Sequence, residues 1–208
     1  MSLDAVLCRG AEQSDQALQR VCDWLRIPSV STDRAFAADC RKAAEWAADH
    51  LRESGLYVEL METGTEEARG HPIVLAESGG APGYRGPHVL FYGHYDVQPP
   101  DPLDLWDSGP FEPVIKPAEG EMSERVVARG ACDDKGQVAS FLEAMRLWKD
   151  VTGEPCGGVR FTVLLEGEEE SGSVNLERFV EENKGRLGAG LPRPSMPVSE
   201  IRQTSHAP

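Results

Sequence analysis

Val159-Arg160-Phe161-Thr162-Val163-Leu164-Leu165, residues 159–165, is an apolar run interrupted only at Arg160 and Thr162, and it leads straight into Glu166-Gly167-Glu168-Glu169-Glu170. A short apolar run bounded by polar turn residues reads as a strand buried on both faces. Val89-Leu90-Phe91-Tyr92 is a second such run, and it ends in Gly93-His94-Tyr95-Asp96. Between them Val138, Phe141, Leu142, Met145 and Leu147 recur at helical spacing and predict a helix over about 136–149. Buried strands separated by helices imply an α/β fold with a largely central sheet covered on both sides. In such sheets function gathers in the loops at the carboxyl edge of the strands. The polar residues of this chain stand in those loops.

Toward the N-terminus, Leu18, Val21, Trp24 and Leu25 predict a helix over about 10–27, stopped by Pro28. A second helix is expected over 37–54, with Cys40, Ala43, Ala44, Ala47 and Leu51 on one face and Gly55 as its left-handed terminator. Leu56, Val58 and Leu60 then alternate with polar residues as in a half-buried strand, and 72–76 reads as the next strand. Residues 185–208 carry Pro192, Pro194, Pro197 and Pro208 with no apolar period, and are expected to be unstructured. The division is therefore a folded part over 1–185 and a Pro/Gly-rich tail over 186–208. No internal repeat is visible.

The chain has 208 residues, 21 Lys+Arg and 35 Asp+Glu, for a formal charge of −14. That acid excess argues against nucleic acid or an anionic membrane as partner, because both would repel it. No apolar run approaches the ~18–20 residues needed to span a bilayer, and the first residues lack the layout of a signal peptide. The five cysteines are odd in number and contain no C-x-x-C pair, which disfavours both a disulfide framework and a cysteine zinc site. The expectation is a cytoplasmic protein with reduced thiols.

Three short segments offer metal ligands. In the first, His94 presents an imidazole nitrogen and Asp96 can take the proton of the other nitrogen, fixing the tautomer. The ordinary alternative is a histidine beside a turn aspartate. In the second, Asp133-Asp134 precedes the predicted helix of 136–149, where the amide dipole favours negative charge. Either could be a helix cap, but a cap needs one carboxylate and the second adds repulsion unless a cation offsets it. In the third, the four carboxylates of 166–170 could be a solvated acidic loop, or a pair in which one binds metal and its neighbour takes a proton from water. His94, Asp133 and Glu169/Glu170 lie 39 and 36 residues apart, room for a crossover in each interval. One histidine with several carboxylates suits zinc, with manganese or cobalt as alternatives.

Gly-His-Tyr-Asp-Val at 93–97, Arg-Gly-Ala-Cys-Asp-Asp-Lys-Gly at 129–136 and Glu-Glu-Ser-Gly-Ser at 169–173 together resemble the co-catalytic zinc metallopeptidase family. That family contains carnosinase, cytosolic non-specific dipeptidase, carboxypeptidase G, acetylornithine deacetylase and succinyl-diaminopimelate desuccinylase. Leu105-Trp106 and Gly109-Pro110-Phe111 resemble its dipeptidase branch, and the likeness runs over about 12–185. The resemblance implies a three-layer α/β/α catalytic domain that hydrolyses a peptide or amide bond of a small substrate. It implies that His94 ligates one zinc, Asp133 bridges a pair of zincs and Glu170 ligates the second. Glu169 would be the general base, with the register of the acidic run fixed by Ser171-Gly172-Ser173, and Asp96 would orient His94.

Members of that family are longer. They continue with a further strand ending in an acidic ligand, a lid domain through which they often pair as homodimers, and a late histidine ligand. Beyond Lys184 the only ligand-type residues here are Glu200 and His206, in a segment without strand character. The expectation is thus a truncated catalytic domain without its lid. The alternative to an active dipeptidase is an inactive truncated or frameshifted fragment with at most weak metal binding.

Overall fold

The computed structural model describes residues 3–120 and 122–188. α1 (Leu3–Glu12), α2 (Ser14–Leu25) and α3 (Ala37–Glu53) lead into β1 (Tyr57–Met61), β2 (Ile73–Gly79) and β3 (His88–His94). β4 (Val114–Lys116) and β5 (Arg125–Val127) follow, then α4 (Lys135–Thr152), β6 (Arg160–Glu166), α5 (Leu176–Glu182) and α6 (Lys184–Gly188). The main sheet has the order β1-β2-β6-β3. β1 and β6 run antiparallel to β2, whereas β3 and β6 are parallel and joined by a crossover through α4. β4 and β5 form a separate antiparallel pair.

The period-two alternation of the central strands divides the core into two layers. Val74, Ala76, Val163 and Leu165 face α2, α3 and α4, where they meet Trp24, Ala43, Ala47, Leu51, Val138 and Leu142. Ile73, Leu75 and Leu164 face the other way and meet Leu176, Phe179 and Leu187 of α5 and α6. Each fully buried side chain of this size stabilises the fold by about 1.5–3 kcal/mol. The result is the expected three-layer α/β/α arrangement. Among the described residues no helix is long and apolar enough to cross a membrane.

Several local expectations are corrected. The helix read over 10–27 is two helices, with Gln13 between α1 and α2. β3 is not buried on both faces: it pairs with β6 alone among the described residues, and Leu90 and Tyr92 are exposed. The interval from His94 to Asp133 holds no crossover back to the sheet. It runs through β4 and β5 to the N-terminus of α4, so only the second interval contains a βαβ crossover.

The expected end of structure at 185 is also displaced. Residues 184–188 form α6, whose Leu187 is buried against the sheet. Arg186 ties α6 to β2 through Glu77 Oε2 at 2.6 Å, and it also pairs with Glu59 of β1. The tail of 189–208 lies outside the described residues.

Because Leu187 fills one end of the smaller core layer, Leu187→Ala is expected to destabilise the chain by about 2–5 kcal/mol in urea unfolding. A change below about 0.5 kcal/mol, the surface range, would place α6 outside the folded unit.

Candidate metal centre

The parallel register of β3 and β6 sets Gly93 beside Leu165 and His94 beside Glu166. Both strands end at the same sheet edge, so His94 and the acidic turn of 166–170 emerge side by side. Asp133 reaches them from the N-terminus of α4. Gly93 permits this approach: a Cβ there would lie 2.7 Å from Val138 Cγ2 and 2.8 Å from Asp134 Oδ2. The space is taken up by Asp134, whose Oδ2 accepts the His94 backbone N–H at 3.1 Å. Asp134 occupies the N-cap position of α4 but makes no side-chain capping bond, so neither aspartate serves as the simple cap considered from the sequence.

His94, Asp133 and Glu170 each bring one ligand atom within 4.8 Å of the others. His94 Nε2 is 3.1 Å from Asp133 Oδ1, and Nδ1 is 3.2 Å from Asp96 Oδ1. His94 is nearly buried, whereas the Asp133 side chain is 73% exposed. Asp96 is fully buried and collects further donors: Ser31 Oγ at 2.6 Å, the Glu170 N–H at 3.0 Å and the Glu169 N–H at 3.3 Å. One carboxylate therefore holds the histidine ring and the acidic turn against each other.

The remaining carboxylates are sorted by their partners. Glu166 is buried and accepts from the Tyr92 hydroxyl and from Ser173 Oγ at 3.0 Å. Glu168 is buried and accepts from the His71 N–H at 3.0 Å and from Asn175 Nδ2 at 3.0 and 2.9 Å. These two brace the turn, and Glu169 and Glu170 carry on past it in a short 3-10 turn, Glu169–Ser171. Gln98 Nε2 donates to Glu170 Oε2 at 2.8 Å. Lys135, the charged residue of the second motif, turns away into the core. Its Nζ donates to Ile27 O at 2.7 Å and Trp24 O at 3.2 Å, satisfying carbonyls at the end of α2.

Burial alone would lower the His94 pKa. The hydrogen bond and charge of Asp96, with the charges of Asp134 and Glu169, instead raise it to about 10. Burial raises Glu170, against the pull of the Gln98 amide. It raises Asp134 as well, against the His94 N–H and ring, and it pushes Lys135 down to about 7. A single imidazole facing several carboxylates is a donor set that suits a zinc-type divalent cation, which would neutralise the local acid excess. Residue for residue, the structure brings together the candidates His94, Asp96, Asp133, Glu169 and Glu170. Ser31 and Gln98 escaped the sequence reading, and Asp134, read there as a cap or a second carboxylate, instead accepts the His94 N–H. Gln98 had a signal, since it extends the first motif by a single residue, but Ser31 had none.

The fold and this cluster define a metallopeptidase type of catalytic domain. Crystal-structure comparison agrees: human carnosine dipeptidase 1 superposes with a TM-score of 0.79 at 30% identity, over 91% of this chain and 40% of that one. In sequence the chain is 31% identical to Beta-Ala-His dipeptidase of Rattus norvegicus, over 85% of this chain and 36% of the relative. It is 30% identical to Cys-Gly metallodipeptidase DUG1 of Saccharomyces cerevisiae, over 91% of this chain and 40% of the relative. The profile of peptidase family M20/M25/M40 matches residues 90–203, and the chain belongs to that family. It spans well under half the length of these curated relatives.

A metal that takes His94 Nε2 must displace the proton held there up to about pH 10. Raising the pH removes that competitor, so zinc affinity is expected to tighten by about tenfold per pH unit near neutrality. Calorimetry in buffers of different ionisation enthalpy should show proton release on binding. An affinity flat in pH would mean that His94 is already neutral.

Proposed function

We propose that this chain carries the metal-binding and proton-transfer residues of a dipeptidase-type hydrolase acting on a small peptide. The observation that carries the reading is the convergence of His94, Asp133 and Glu170 ligand atoms within 4.8 Å at one sheet edge. Support also comes from the names of the relatives, which act on Beta-Ala-His and Cys-Gly. In this reading His94, Asp133 and Glu170 would hold the zinc of a two-metal site, with Asp133 as the shared ligand between His94 and Glu170 and with manganese or cobalt able to substitute.

A bound divalent metal supplies Lewis acidity at the scissile carbonyl and lowers the pKa of the attacking water. The chain's own residues do the rest. Glu169 takes the proton of that water as it attacks and passes it to the departing amine, so one residue serves as base and then acid. Asp96 keeps the His94 ring fixed by accepting from Nδ1 and leaves Nε2 for the metal. Its bonds to the Glu169 and Glu170 amides hold the base and the ligand at a constant distance from that ring. Positioning of this kind accounts for much of the rate in such sites.

A second reading, a chain that binds metal without turnover, is favoured by one observation. The described residues bring together three ligand side chains for a site that would hold two ions. Hydrolysis of Beta-Ala-His and Cys-Gly by the zinc-loaded chain separates the two. Activity that falls about 10²–10⁴-fold in Glu169→Gln, with zinc content unchanged, is the expected outcome of the first reading. Full zinc occupancy without turnover supports the second.

A further inference from the structure

Gln98 is exposed, yet it makes two bonds to one residue distant in sequence. Its Nε2 donates to Glu170 Oε2 at 2.8 Å and to Glu170 O at 3.1 Å. Glu170 is thereby held at three points, because its own N–H is taken by Asp96. A backbone bond together with a carboxylate bond fixes both the place of the residue and the direction of its side chain. An exposed carboxylate without such a partner would sample several rotamers, each loss of freedom opposing metal binding.

The segment that presents Gln98 is itself braced. Arg129 Nη2 donates to Pro99 O at 3.2 Å, and its guanidinium sits 5.5 Å from the centre of the Trp106 ring. The Trp106 indole N–H donates to Pro100 O at 2.7 Å. Pro99 and Pro100 have fixed φ and no N–H of their own, so their carbonyls are the groups left to grip. Arg129 precedes Asp133 by four residues. The same brace thus connects the approach to Asp133 with the residue that contacts Glu170.

We propose that Gln98 is a positioning residue that aims the Glu170 carboxylate at the metal, held in place by the Arg129–Trp106 brace. The proposal rests on the reading of Glu170 as a ligand. It explains why the dipeptidase-like Trp106, whose hydrogen bond goes to Pro100 and not to a candidate ligand, is fixed by that bond and by the Arg129 guanidinium over its ring: it carries the support of the site, not the chemistry.

Zinc affinity of the 208-residue chain, measured by competition with a chromophoric chelator, tests this. Gln98→Ala is expected to weaken zinc by about 10–100-fold, the range for losing a partner of a metal ligand. The urea midpoint of the metal-free chain should stay unchanged, because the residue is exposed. In a Glu170→Ala background the substitution should cost nothing further, whereas in a His94→Ala background it should keep its effect. Arg129→Ala should weaken zinc in the same direction by a smaller factor. An unchanged affinity in Gln98→Ala beside a zinc-binding parent overturns the proposal and leaves the metal reading standing. A loss that persists in the Glu170→Ala background overturns it too, since Gln98 then acts elsewhere. A parent chain that takes up no zinc removes the reading and the proposal together.

Discussion

The site depends on the buried carboxylate of Asp96. It lies at zero exposure and accepts from the His94 ring, the Ser31 hydroxyl and the amides of Glu169 and Glu170. A carboxylate taken from water without such donors would cost several kcal/mol and would be protonated instead. With them it is the fixed acceptor on which a strand end, an interhelix segment and an acidic turn converge. Those pieces come from parts of the chain far apart in sequence. Ser31 reaches Asp96 because the segment before it joins the first motif through Val97 N–H to Ser29 O at 2.9 Å and Ser29 Oγ to Tyr95 O at 2.7 Å.

The sheet supplies the frame for that convergence. Parallel pairing of β3 with β6 forces their carboxyl ends to the same edge, and α4 in the crossover returns its N-terminus to that edge as well. Gly93 lets the helix end close on the strand, and Asp134 converts the close approach into a hydrogen bond with the His94 amide. Buried Lys135, the next residue, locks the start of α4 to the end of α2. Adjacent Asp133, Asp134 and Lys135 thus point three ways, toward the His94 ring, the strand end and the core.

Much of this was legible in the sequence for a definite reason. Apolar runs ending in polar groups fix both the element and the edge where polar groups collect, so His94, Asp96, Asp133 and the acidic run of 166–170 could be singled out from their places after strands and before a helix. The choice of Glu169 and Glu170 within that run came from the family resemblance. What pairing decides was hidden. Leu90 and Tyr92 read as buried because an apolar run carries no sign of whether a neighbouring strand lies beside it. The interval before Asp133 read as a crossover because length alone does not distinguish a returning strand from the separate β4–β5 pair. Gln13 passes for helix because its side chain fits one, and the break becomes visible only where α1 and α2 are each laid against α4. Ser31 was invisible because a serine in a connection becomes meaningful only when a carboxylate 65 residues away is brought to it.

The acidic run shows how partners, rather than residue type, assign roles. Glu166 and Glu168 are surrounded by hydroxyl, amide and backbone donors that are neutral at every ordinary pH. Their charge is met by dipoles, and a cation would have to displace bonds already made. Asp133 faces the His94 ring across 3.1 Å and is otherwise open to solvent, and Glu170 has its carboxylate on a single amide. Positive charge is scarce here: against burial, the hydrogen bond and charge of Asp96 favour the protonated His94 ring, and Lys135 points into the core. A divalent ion that displaces the His94 proton would therefore replace a weak local cation by a stronger one at the same place. Such an exchange would leave the bracing carboxylates untouched and draw only on the open ones, because the donors each carboxylate has already found divide the acid excess of this edge into a satisfied part and an open part.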